Sequence, residues 1–363
     1  MNELINLFDF EAAALTRLPA GPRDYYRGGA GDEITLRANR SAWDRWSIHY
    51  RVLRDVAKRD LSTQVLGQKL DWPVMIAPTA YHQMAHPDGE IATARAAAST
   101  GTAMVLSTLS NKPMEEVAQA ATRGLWFQLY CYKDRGITQD LIARAAAAGC
   151  GAIVLTVDTP VGAVRERDVR NGFSFPTNLP MSNLLPAGER YSMPDLGQGG
   201  FSGYVNQMFD PALSWRDLDW IVATSKLPVL VKGIVRPDDA RRALGRGAQG
   251  IIVSNHGGRQ LDSAPATADV LDSVVRAAGQ DALVMVDGGI RRGTDVLKAL
   301  ALGARAVLIG RPVLWGLAVG GEDGVRRVLD LLRNEFSVAM ALAGCQALDE
   351  IERALLGRAG RDD

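Results

Sequence analysis

Eight short apolar runs, rich in β-branched residues, recur along the chain from about residue 73 onward. Alanine- and leucine-rich stretches with helical spacing lie between them, and three of these, at 142–149, 238–247 and 294–303, end in glycine. Continuous apolar strands must be covered by helices, so eight strand–helix units predict a (β/α)8 TIM barrel of the α/β class. The predicted strands are residues 74–77, 103–106, 126–130, 152–157, 229–231, 250–253, 282–286 and 306–309.

Two segments fall outside this alternation. Residues 1–72 show helical patterns interrupted by a glycine-rich turn at 27–33, which predicts an N-terminal helical extension. Residues 160–213, after the fourth strand, are rich in Gly, Pro, Ser and Asn and have little periodicity. Loops of this length usually have a function, so we expect a lid over the catalytic face. We expect residues 1–363 to form a single domain.

A polar or conformationally special residue follows each predicted strand. In a barrel the carboxyl ends of the strands form the catalytic face, so these residues are expected to converge there. One such residue could belong to an ordinary loop, and it is the repeated placement that predicts a site. The residues are Pro78, Thr79, Ala80, Ser107, Gln128, Tyr130, Thr156, Asp158, Lys232, Ser254, His256, Asp287, Gly289, Gly310 and Arg311.

The turn after the sixth predicted strand holds the strongest candidates for chemistry. His256 and Arg259 lie three residues apart on a glycine-rich segment. An imidazole can take a proton while a guanidinium binds a carboxylate through two hydrogen bonds, so the pair predicts a base beside a carboxylate site. Asp158, at the end of the fourth strand, could reach the imidazole and raise its pKa.

Glycines and arginines close the last two predicted strands. Arg291 follows Gly289, and Gly310 precedes Arg311. Barrels often bind a phosphate at this place through backbone N–H groups, a helix N-terminus and arginine. These four residues therefore predict a phosphate site.

The overall composition favours a small-molecule partner. Lys and Arg together number 41, as do Asp and Glu, so no net charge attracts nucleic acid or an anionic membrane. No stretch approaches the roughly 20 apolar residues of a membrane span, and no basic, apolar leader is recognisable, so we expect a soluble, cytoplasmic protein. Cys131, Cys150 and Cys345 lie far apart in apolar contexts, which predicts buried thiols.

Two further motifs are weak. His82 and His86 have the spacing of a helical metal pair, but Pro87 follows directly and no third ligand is near, so we predict no metal site. The glycine-rich stretch 197–200 follows no strand and opens no obvious helix, which argues against dinucleotide binding.

The segment 254–262, Ser-Asn-His-Gly-Gly-Arg-Gln-Leu-Asp, resembles the signature of the FMN-dependent α-hydroxy-acid oxidases and dehydrogenases, a family that includes glycolate oxidase, lactate oxidase and mandelate dehydrogenase. Further motifs extend the resemblance over nearly the whole chain, at 24–26, 77–80, 127–130, 155–160, 230–233 and 310–312. The resemblance implies FMN-dependent oxidation of (S)-2-hydroxy acids to 2-keto acids. It also implies a homo-oligomer, a tetramer or an octamer. Because no haem domain is recognisable and the lid lacks a membrane-type apolar run, we expect oxygen as the acceptor and hydrogen peroxide as a product.

The resemblance also implies roles for individual residues. Lys232 is placed beside the flavin, where its charge favours the anionic reduced ring, and Asp287 is placed at the ribityl hydroxyls. The catalytic residues implied are His256, Asp158, Tyr130 and Lys232. The substrate-binding residues are Tyr25, Arg259, Arg165, Leu109 and Tyr130. The cofactor-binding residues are Pro78, Thr79, Ala80, Ser107, Gln128, Thr156, Lys232, Ser254, Asp287, Gly289, Arg291, Gly310 and Arg311.

The sequence departs from the glycolate-oxidase pattern at positions expected to face the substrate. Leu109 stands where that pattern has tryptophan, Gly162 replaces leucine, and Tyr81 and His82 replace methionine and glutamine. Less bulk predicts a roomier pocket that prefers lactate or a larger, aromatic acid such as mandelate. The alternatives are a glycolate oxidase and a dehydrogenase that uses an acceptor other than oxygen.

Two other interpretations stay open at this point. A phosphate-binding barrel aldolase or isomerase could form a Schiff base on Lys232, although this leaves His256, Arg259 and Gln128 without a role. A non-catalytic flavin-binding or scaffold barrel is the other interpretation.

Overall fold

The structure is a computed structural model, and it describes residues 3–176, 178–184, 200–279 and 281–358. The N-terminal extension contains helices α1 (Leu7–Arg17), α2 (Ala20–Arg27) and α3 (Ile34–Asp44) and short strands β1 (Trp46–Ile48), β2 (Thr63–Val65) and β3 (Gln68–Leu70). The Asn6 side chain caps α1 by accepting hydrogen bonds from two backbone N–H groups. The predicted helical extension therefore also contains a β-hairpin, formed by β2 and β3.

Eight parallel strands form a closed barrel, which confirms the predicted TIM-barrel fold. Each strand overlaps its predicted run. The ring closes where β11 pairs with β4, with Val307 opposite Val74. The strands are β4 (Val74–Ile76), β5 (Met104–Leu106), β6 (Leu125–Leu129), β7 (Ile153–Thr156), β8 (Val229–Ile234), β9 (Gly250–Val253), β10 (Leu283–Val286) and β11 (Ala306–Ile309).

Helices follow the strands and cover the outside of the barrel. Two of them, α7 and α8, belong to the segment between β7 and α9, and α13 is bent at Gly320 and Gly321, where the backbone is not helical. The helices are α4 (Gly89–Ser99), α5 (Met114–Ala120), α6 (Arg135–Ala147), α7 (Glu166–Arg170), α8 (Gly200–Met208), α9 (Trp215–Thr224), α10 (Pro237–Gly245), α11 (Thr267–Ala278), α12 (Gly293–Ala301) and α13 (Arg311–Ala343). A last strand, β12 (Leu356–Arg358), pairs antiparallel with β1.

The apolar core has two layers, as alternating strand residues require. One layer fills the barrel interior and includes Met75, Val105 and Ile252, and the larger one joins the outer strand faces to the helices. Val65 and Leu70 of the β2–β3 hairpin belong to the interior layer, so the hairpin packs against the amino-terminal end of the barrel. The opposite end, where the strands terminate, carries the polar residues.

The segment 160–213 differs from the predicted loop because it contains α7 and α8. Residues 177 and 185–199 of this segment, including most of the glycine-rich stretch 197–200, lie outside the described residues. Its role as a lid stays a prediction. In the part of the chain that the structure describes, no helix has both the length and the apolar character to cross a membrane. Cys131, Cys150 and Cys345 are buried free thiols, as predicted.

Candidate active site

A cavity of about 950 Å³, including its open mouth, lies at the carboxyl ends of the barrel strands. Most of the site residues expected from the sequence form its wall, which brings together segments from the whole length of the barrel. These residues are Tyr25, Pro78, Thr79, Ala80, Ser107, Leu109, Gln128, Tyr130, Thr156, Arg165, Lys232, His256, Arg259, Asp287, Gly289, Arg291, Gly310 and Arg311.

His256 and Asp158 form a hydrogen-bonded pair at this face. Nδ1 of His256 lies 2.8 Å from Oδ1 of Asp158. A carboxylate only accepts hydrogen bonds, so Nδ1 carries the proton and Nε2 is the basic nitrogen. His256 has a positive φ of 59°, which is uncommon for a residue with a side chain, and Gly257 and Gly258 continue the left-handed turn. Such strain is often found at functional sites.

Neighbouring backbone and hydroxyl groups hold this pair in place. Gly233 interrupts the regular register of β8, and a Cβ at this position would lie 2.7 Å from Cβ of Asp158. The Ser254 hydroxyl accepts hydrogen bonds from Lys232 Nζ at 3.0 Å and from the backbone N–H of His256 at 3.1 Å. Ser254 was expected to contact the cofactor. It does not line the cavity but contacts Lys232 and His256, which do.

The protonation states of the pair suit proton transfer. Burial lowers the pKa of His256 below its usual value of 6.5, and this effect exceeds the opposite influence of the Asp158 carboxylate. Asp158 thus raises the pKa of His256, as expected, but burial, which could not be judged from the sequence, lowers it more. Burial alone would raise the pKa of Asp158. The charge and hydrogen bond of His256 lower it by more, so the net shift is downward. At neutral pH the imidazole is uncharged and the carboxylate is ionised.

Lys232 is held as a cation. Its burial lowers its pKa, but the carboxylates of Asp287 and Asp158 raise it more, so the net shift is upward. Nζ lies 3.2 Å from Oδ2 of Asp287. A Schiff-base lysine must lose its proton to act as a nucleophile. The environment of Lys232 therefore argues against the aldolase interpretation.

The guanidinium groups of Arg259 and Arg165 both lie close to the Tyr25 ring. The central carbon of Arg259 lies 4.9 Å from the ring centroid, and that of Arg165 lies 5.6 Å from it. Arg259 donates hydrogen bonds to the backbone carbonyls of Tyr25 and Gly28, at 2.6 and 3.0 Å. Burial, followed by the charge of Arg259, lowers the pKa of Arg165 to about 10. Because the two like charges repel each other, an anion bound beside both of them is stabilised.

Tyr130 and Leu109 complete the wall on the side of β5 and β6. Both side chains are buried, and the Tyr130 ring stacks on Phe209 with the ring centroids 4.3 Å apart. Burial, followed by the nearby Asp158 charge, raises the pKa of Tyr130, so its hydroxyl stays protonated and can donate a hydrogen bond.

Of the four positions at which the sequence departs from the glycolate-oxidase pattern, Gly162, Tyr81 and His82 do not reach the cavity. A Cβ on Gly162 would clash with the backbone of Ser202, and its N–H donates to Asn206 at 2.9 Å. Gly162 therefore packs against α8 and does not enlarge the cavity, contrary to the expectation. Tyr81 stacks on Phe175, with the centroids 4.2 Å apart, and also lies outside the wall.

The imidazole of His82 is hydrogen-bonded to two hydroxyl groups. Its two ring nitrogens lie 2.6 Å from Oγ1 of Thr79 and 3.0 Å from Oγ1 of Thr93. Within the described ranges, no group of three His, Cys, Asp or Glu side chains could hold a metal ion.

Comparison with known proteins places this architecture in a family. The profile described as FMN-dependent dehydrogenase matches residues 14–358. The chain is 53% identical to an L-lactate oxidase of Nostoc sp. over 97% of this chain and 98% of that protein. It is 49% identical to 2-hydroxyacid oxidase 1 of Homo sapiens over 97% and 96% of the two chains. A crystal structure of mandelate oxidase with (S)-2-phenylpropionate is similar, with a TM-score of 0.88, 43% identity and 98% coverage of both chains.

The chain belongs to the FMN-dependent dehydrogenase family. This confirms the resemblance seen in the sequence and identifies FMN as the cofactor. It also confirms the prediction of a flavin oxidoreductase of the 2-hydroxy-acid oxidase group. The proteins similar in sequence and the protein similar in structure are all named as oxidases of 2-hydroxy acids.

The cavity wall fits the FMN that this family binds. Nε2 of Gln128 and Oδ1 of Asp287 are buried and have no hydrogen-bond partner in the described part of the chain. One is a donor and the other an acceptor, and buried groups of this kind normally have partners. The carbonyls of a flavin ring and the hydroxyls of its ribityl chain offer partners of both kinds.

The phosphate end of the site fits equally well. Arg311 donates to the backbone carbonyls of Tyr26, Gly28 and Gly257, each at 2.9 Å, which fixes its guanidinium. Burial, followed by the charges of Arg259 and Arg291, lowers the pKa of Arg311 well below its usual value. An anionic group relieves this crowding of positive charge, as the phosphate of FMN would.

Close packing and backbone conformation require a glycine at position 289. Gly289 has a positive φ of 76°, and a Cβ there would clash with the backbone of Asn39. Several residues of the wall were not among the expected site residues, namely Tyr26, Ala77, Gly257, Gly288, Ile290, Leu308, Ile309 and Leu314. Tyr26 belongs to the segment 24–26 that resembles the family, and its position next to Tyr25 could have indicated that it lies at the site.

Proposed function

We propose that this enzyme oxidises (S)-2-hydroxy acids to 2-keto acids and passes the two electrons to oxygen, giving hydrogen peroxide. One observation carries the proposal, namely that His256, hydrogen-bonded to Asp158, lines the same cavity as Arg259 and Arg165. A base and a carboxylate site are what a 2-hydroxy acid needs for oriented removal of its hydroxyl proton.

We assign the roles in the reaction as follows. Arg259, Arg165 and Tyr25 bind the substrate carboxylate, which places the hydroxyl towards Nε2 of His256 and the Tyr130 hydroxyl. His256 takes the hydroxyl proton, and the Asp158 carboxylate stabilises the imidazolium that forms. When bound, FMN supplies the acceptor for the two electrons and the hydrogen that leave Cα. The Lys232 cation lies in the same wall and stabilises negative charge that develops there.

The remaining residues hold the cofactor. We assign the flavin ring to Pro78, Thr79, Ala80, Ser107, Gln128 and Thr156, and the ribityl chain to Asp287. We assign the phosphate to Gly289, Arg291, Gly310 and Arg311. The unpartnered atoms of Gln128 and Asp287 support this arrangement, as does the crowding of buried guanidiniums. Ser254 acts through Lys232 and His256.

A stoichiometric assay tests this function. Heat denaturation of the purified holoenzyme should release one FMN per chain, and turnover with L-lactate should consume one oxygen and form one hydrogen peroxide per keto acid. Release of FAD or of no flavin would contradict the cofactor assignment. Turnover with an artificial acceptor but not with oxygen would identify a dehydrogenase.

We predict that the substrate side chain lies beside Leu109, which is buried in the wall. With leucine rather than tryptophan there, lactate and larger acids should exceed glycolate in kcat/KM, by about fivefold or more for each buried methylene. Leu109→Trp should shift the ranking towards glycolate. The measurement is kcat/KM for glycolate, L-lactate, L-2-hydroxybutyrate and (S)-mandelate.

A control variant introduces a tryptophan away from the site. Val338→Trp changes a side chain that is 55% exposed on α13, and it should leave the ranking unchanged. Glycolate as the best substrate of the unmodified enzyme, or an unchanged ranking in Leu109→Trp, would show that Leu109 does not shape the pocket.

Location and assembly remain predictions from the sequence. We propose a cytoplasmic homo-oligomer, a tetramer or an octamer. Exposed apolar side chains such as Val52, Leu53 and Leu342 support self-association, because large apolar surface is often buried between subunits. Light scattering of the purified protein measures the subunit number directly.

A further inference from the structure

Glu33 and Arg167 join two segments that are far apart in the sequence. Nε of Arg167 lies 2.6 Å from Oε1 of Glu33, and Nη2 lies 2.8 Å from Oε2, which is a two-point contact. Oε1 of Glu33 also accepts the backbone N–H of Gly29 at 3.1 Å. Neither charged residue belongs to the cavity wall, and the proposed reaction does not use them.

The Glu33 side of this contact supports one substrate guanidinium. The Gly28 carbonyl, next to the Gly29 amide that Glu33 binds, accepts hydrogen bonds from Arg259 at 3.0 Å and from Arg311 at 2.9 Å. The position of the Gly28 carbonyl therefore helps to set where the Arg259 guanidinium lies.

The Arg167 side supports the other guanidinium. Arg167 is the second residue of α7, and Arg165 is the residue directly before this helix. A displacement of the first turn of α7 would therefore carry Arg165 with it. The Glu33–Arg167 contact consequently connects the supports of both guanidiniums over Tyr25.

The backbone of Glu33 adopts an unfavourable conformation at this contact. Glu33 has a φ of 60°, in the left-handed region that residues with side chains rarely adopt. The hydrogen bonds from Arg167 lower the pKa of Glu33 to about 2. The carboxylate therefore stays ionised at any pH at which the enzyme is assayed.

We propose that Glu33 and Arg167 are positioning residues that fix the spacing of Arg165 and Arg259 and thereby set the affinity for the substrate carboxylate. This rests on the proposed function, which gives these two guanidiniums their substrate. The pair does not touch the reacting atoms, so its effect should appear in carboxylate binding and not in the presence of the flavin.

Other contacts between the same segments keep the variants folded. Asn171 donates to Asp24 at 3.1 Å, the Gly31 N–H donates to the Val164 carbonyl at 3.2 Å, and Phe173 stacks on Tyr25. Loss of the ion pair should therefore loosen the spacing without separating the segments. Because a misplacement of about 1 Å can cost up to about 100-fold, we expect a change of about tenfold.

A double-mutant cycle tests the proposal. Glu33→Gln, Arg167→Met and the double variant are compared by kcat and KM for L-lactate. The Kd of oxalate, an unreactive dicarboxylate, is measured from the change it causes in the flavin absorption spectrum. Each single variant should raise KM and the oxalate Kd about tenfold, with kcat within about threefold and one FMN per chain. The double variant should be no worse than either single one, because both remove the same contact.

Two further variants separate positioning from general destabilisation. Arg167→Lys keeps the charge but loses the two-point geometry, so it should restore only part of the affinity. Glu166→Gln removes the exposed Glu166–Arg170 ion pair of the same helix and should leave both constants unchanged.

The outcomes separate this proposal from the proposed function. Unchanged KM and oxalate Kd in the single variants, or additive losses in the double variant, would overturn the positioning role. Loss of FMN or an equal fall in kcat would overturn it as well. Weaker oxalate binding in an enzyme that oxidises no 2-hydroxy acid, even when unmodified, would support the positioning role while overturning the proposed function.

Discussion

His256→Gln should retain FMN and lose turnover by roughly 10³- to 10⁴-fold. A positioned base contributes about 10²- to 10⁴-fold by itself, and glutamine cannot take the hydroxyl proton at all. FMN should stay bound, because the hydrogen bonds of His256 go to Asp158, Thr159 and Ser254 and not to Gly289, Arg291, Gly310 or Arg311. The measurement is the rate of flavin reduction by L-lactate under anaerobic conditions, followed by stopped-flow absorbance.

The backbone at this position calls for a second variant. His256 has a positive φ, and glutamine tolerates this conformation less well than asparagine does. His256→Asn should therefore show the same loss of rate with less strain. A reduction rate within tenfold of the unmodified enzyme in either variant would mean that another group is the base.

Asp158→Asn should lower kcat/KM by about 100-fold at its optimum. The amide has the shape of the carboxylate but no charge, so the imidazolium that forms during the reaction loses its stabilising partner. Hydrogen bonds to charged groups contribute about 1.5 to 3 kcal/mol, which corresponds to roughly 10- to 100-fold. The amide also offers Nδ1 a donor group, which favours the wrong tautomer of His256. FMN content should not change.

The same variant has a signature in the pH profile. In the proposed reaction His256 must be neutral to accept the proton, so kcat/KM of the unmodified enzyme should fall only as the pH drops below 6.5, the usual pKa of the group. Asp158 raises the pKa of His256, and its replacement should move this acidic limb to still lower pH. An acidic limb that moves to higher pH in Asp158→Asn would contradict the coupling of the two groups.

The barrel and the cavity wall could be predicted from the sequence because both depend on the order of apolar and polar residues within short segments. Barrel strands are buried on both faces, so they appear as continuous apolar runs, and β4 to β11 all overlap such runs. Residues at the ends of those runs meet at one face whatever the details of packing. For this reason residues as distant as Thr79, His256 and Arg311 were correctly expected in one cavity.

Features that depend on tertiary contacts could not be read in this way. β1 and β12 are each three residues long, and they pair although they lie near opposite ends of the sequence. α7 and α8 lie in a segment whose Gly and Ser content favours loops. The net pKa direction of His256 depends on burial, and Gly162 depends on where α8 packs. The Glu33–Arg167 contact is likewise visible only once both segments are placed in space.

The most direct test is the visible absorption spectrum of the FMN-loaded enzyme before and after anaerobic addition of L-lactate. The proposed function predicts that the oxidised flavin bands disappear, that keto acid forms in equal amount, and that air restores the bands with release of hydrogen peroxide. His256→Gln should remain oxidised on the same timescale. A spectrum that L-lactate, L-2-hydroxybutyrate and (S)-mandelate all leave unchanged would contradict the proposal and favour a flavin-binding barrel without this activity.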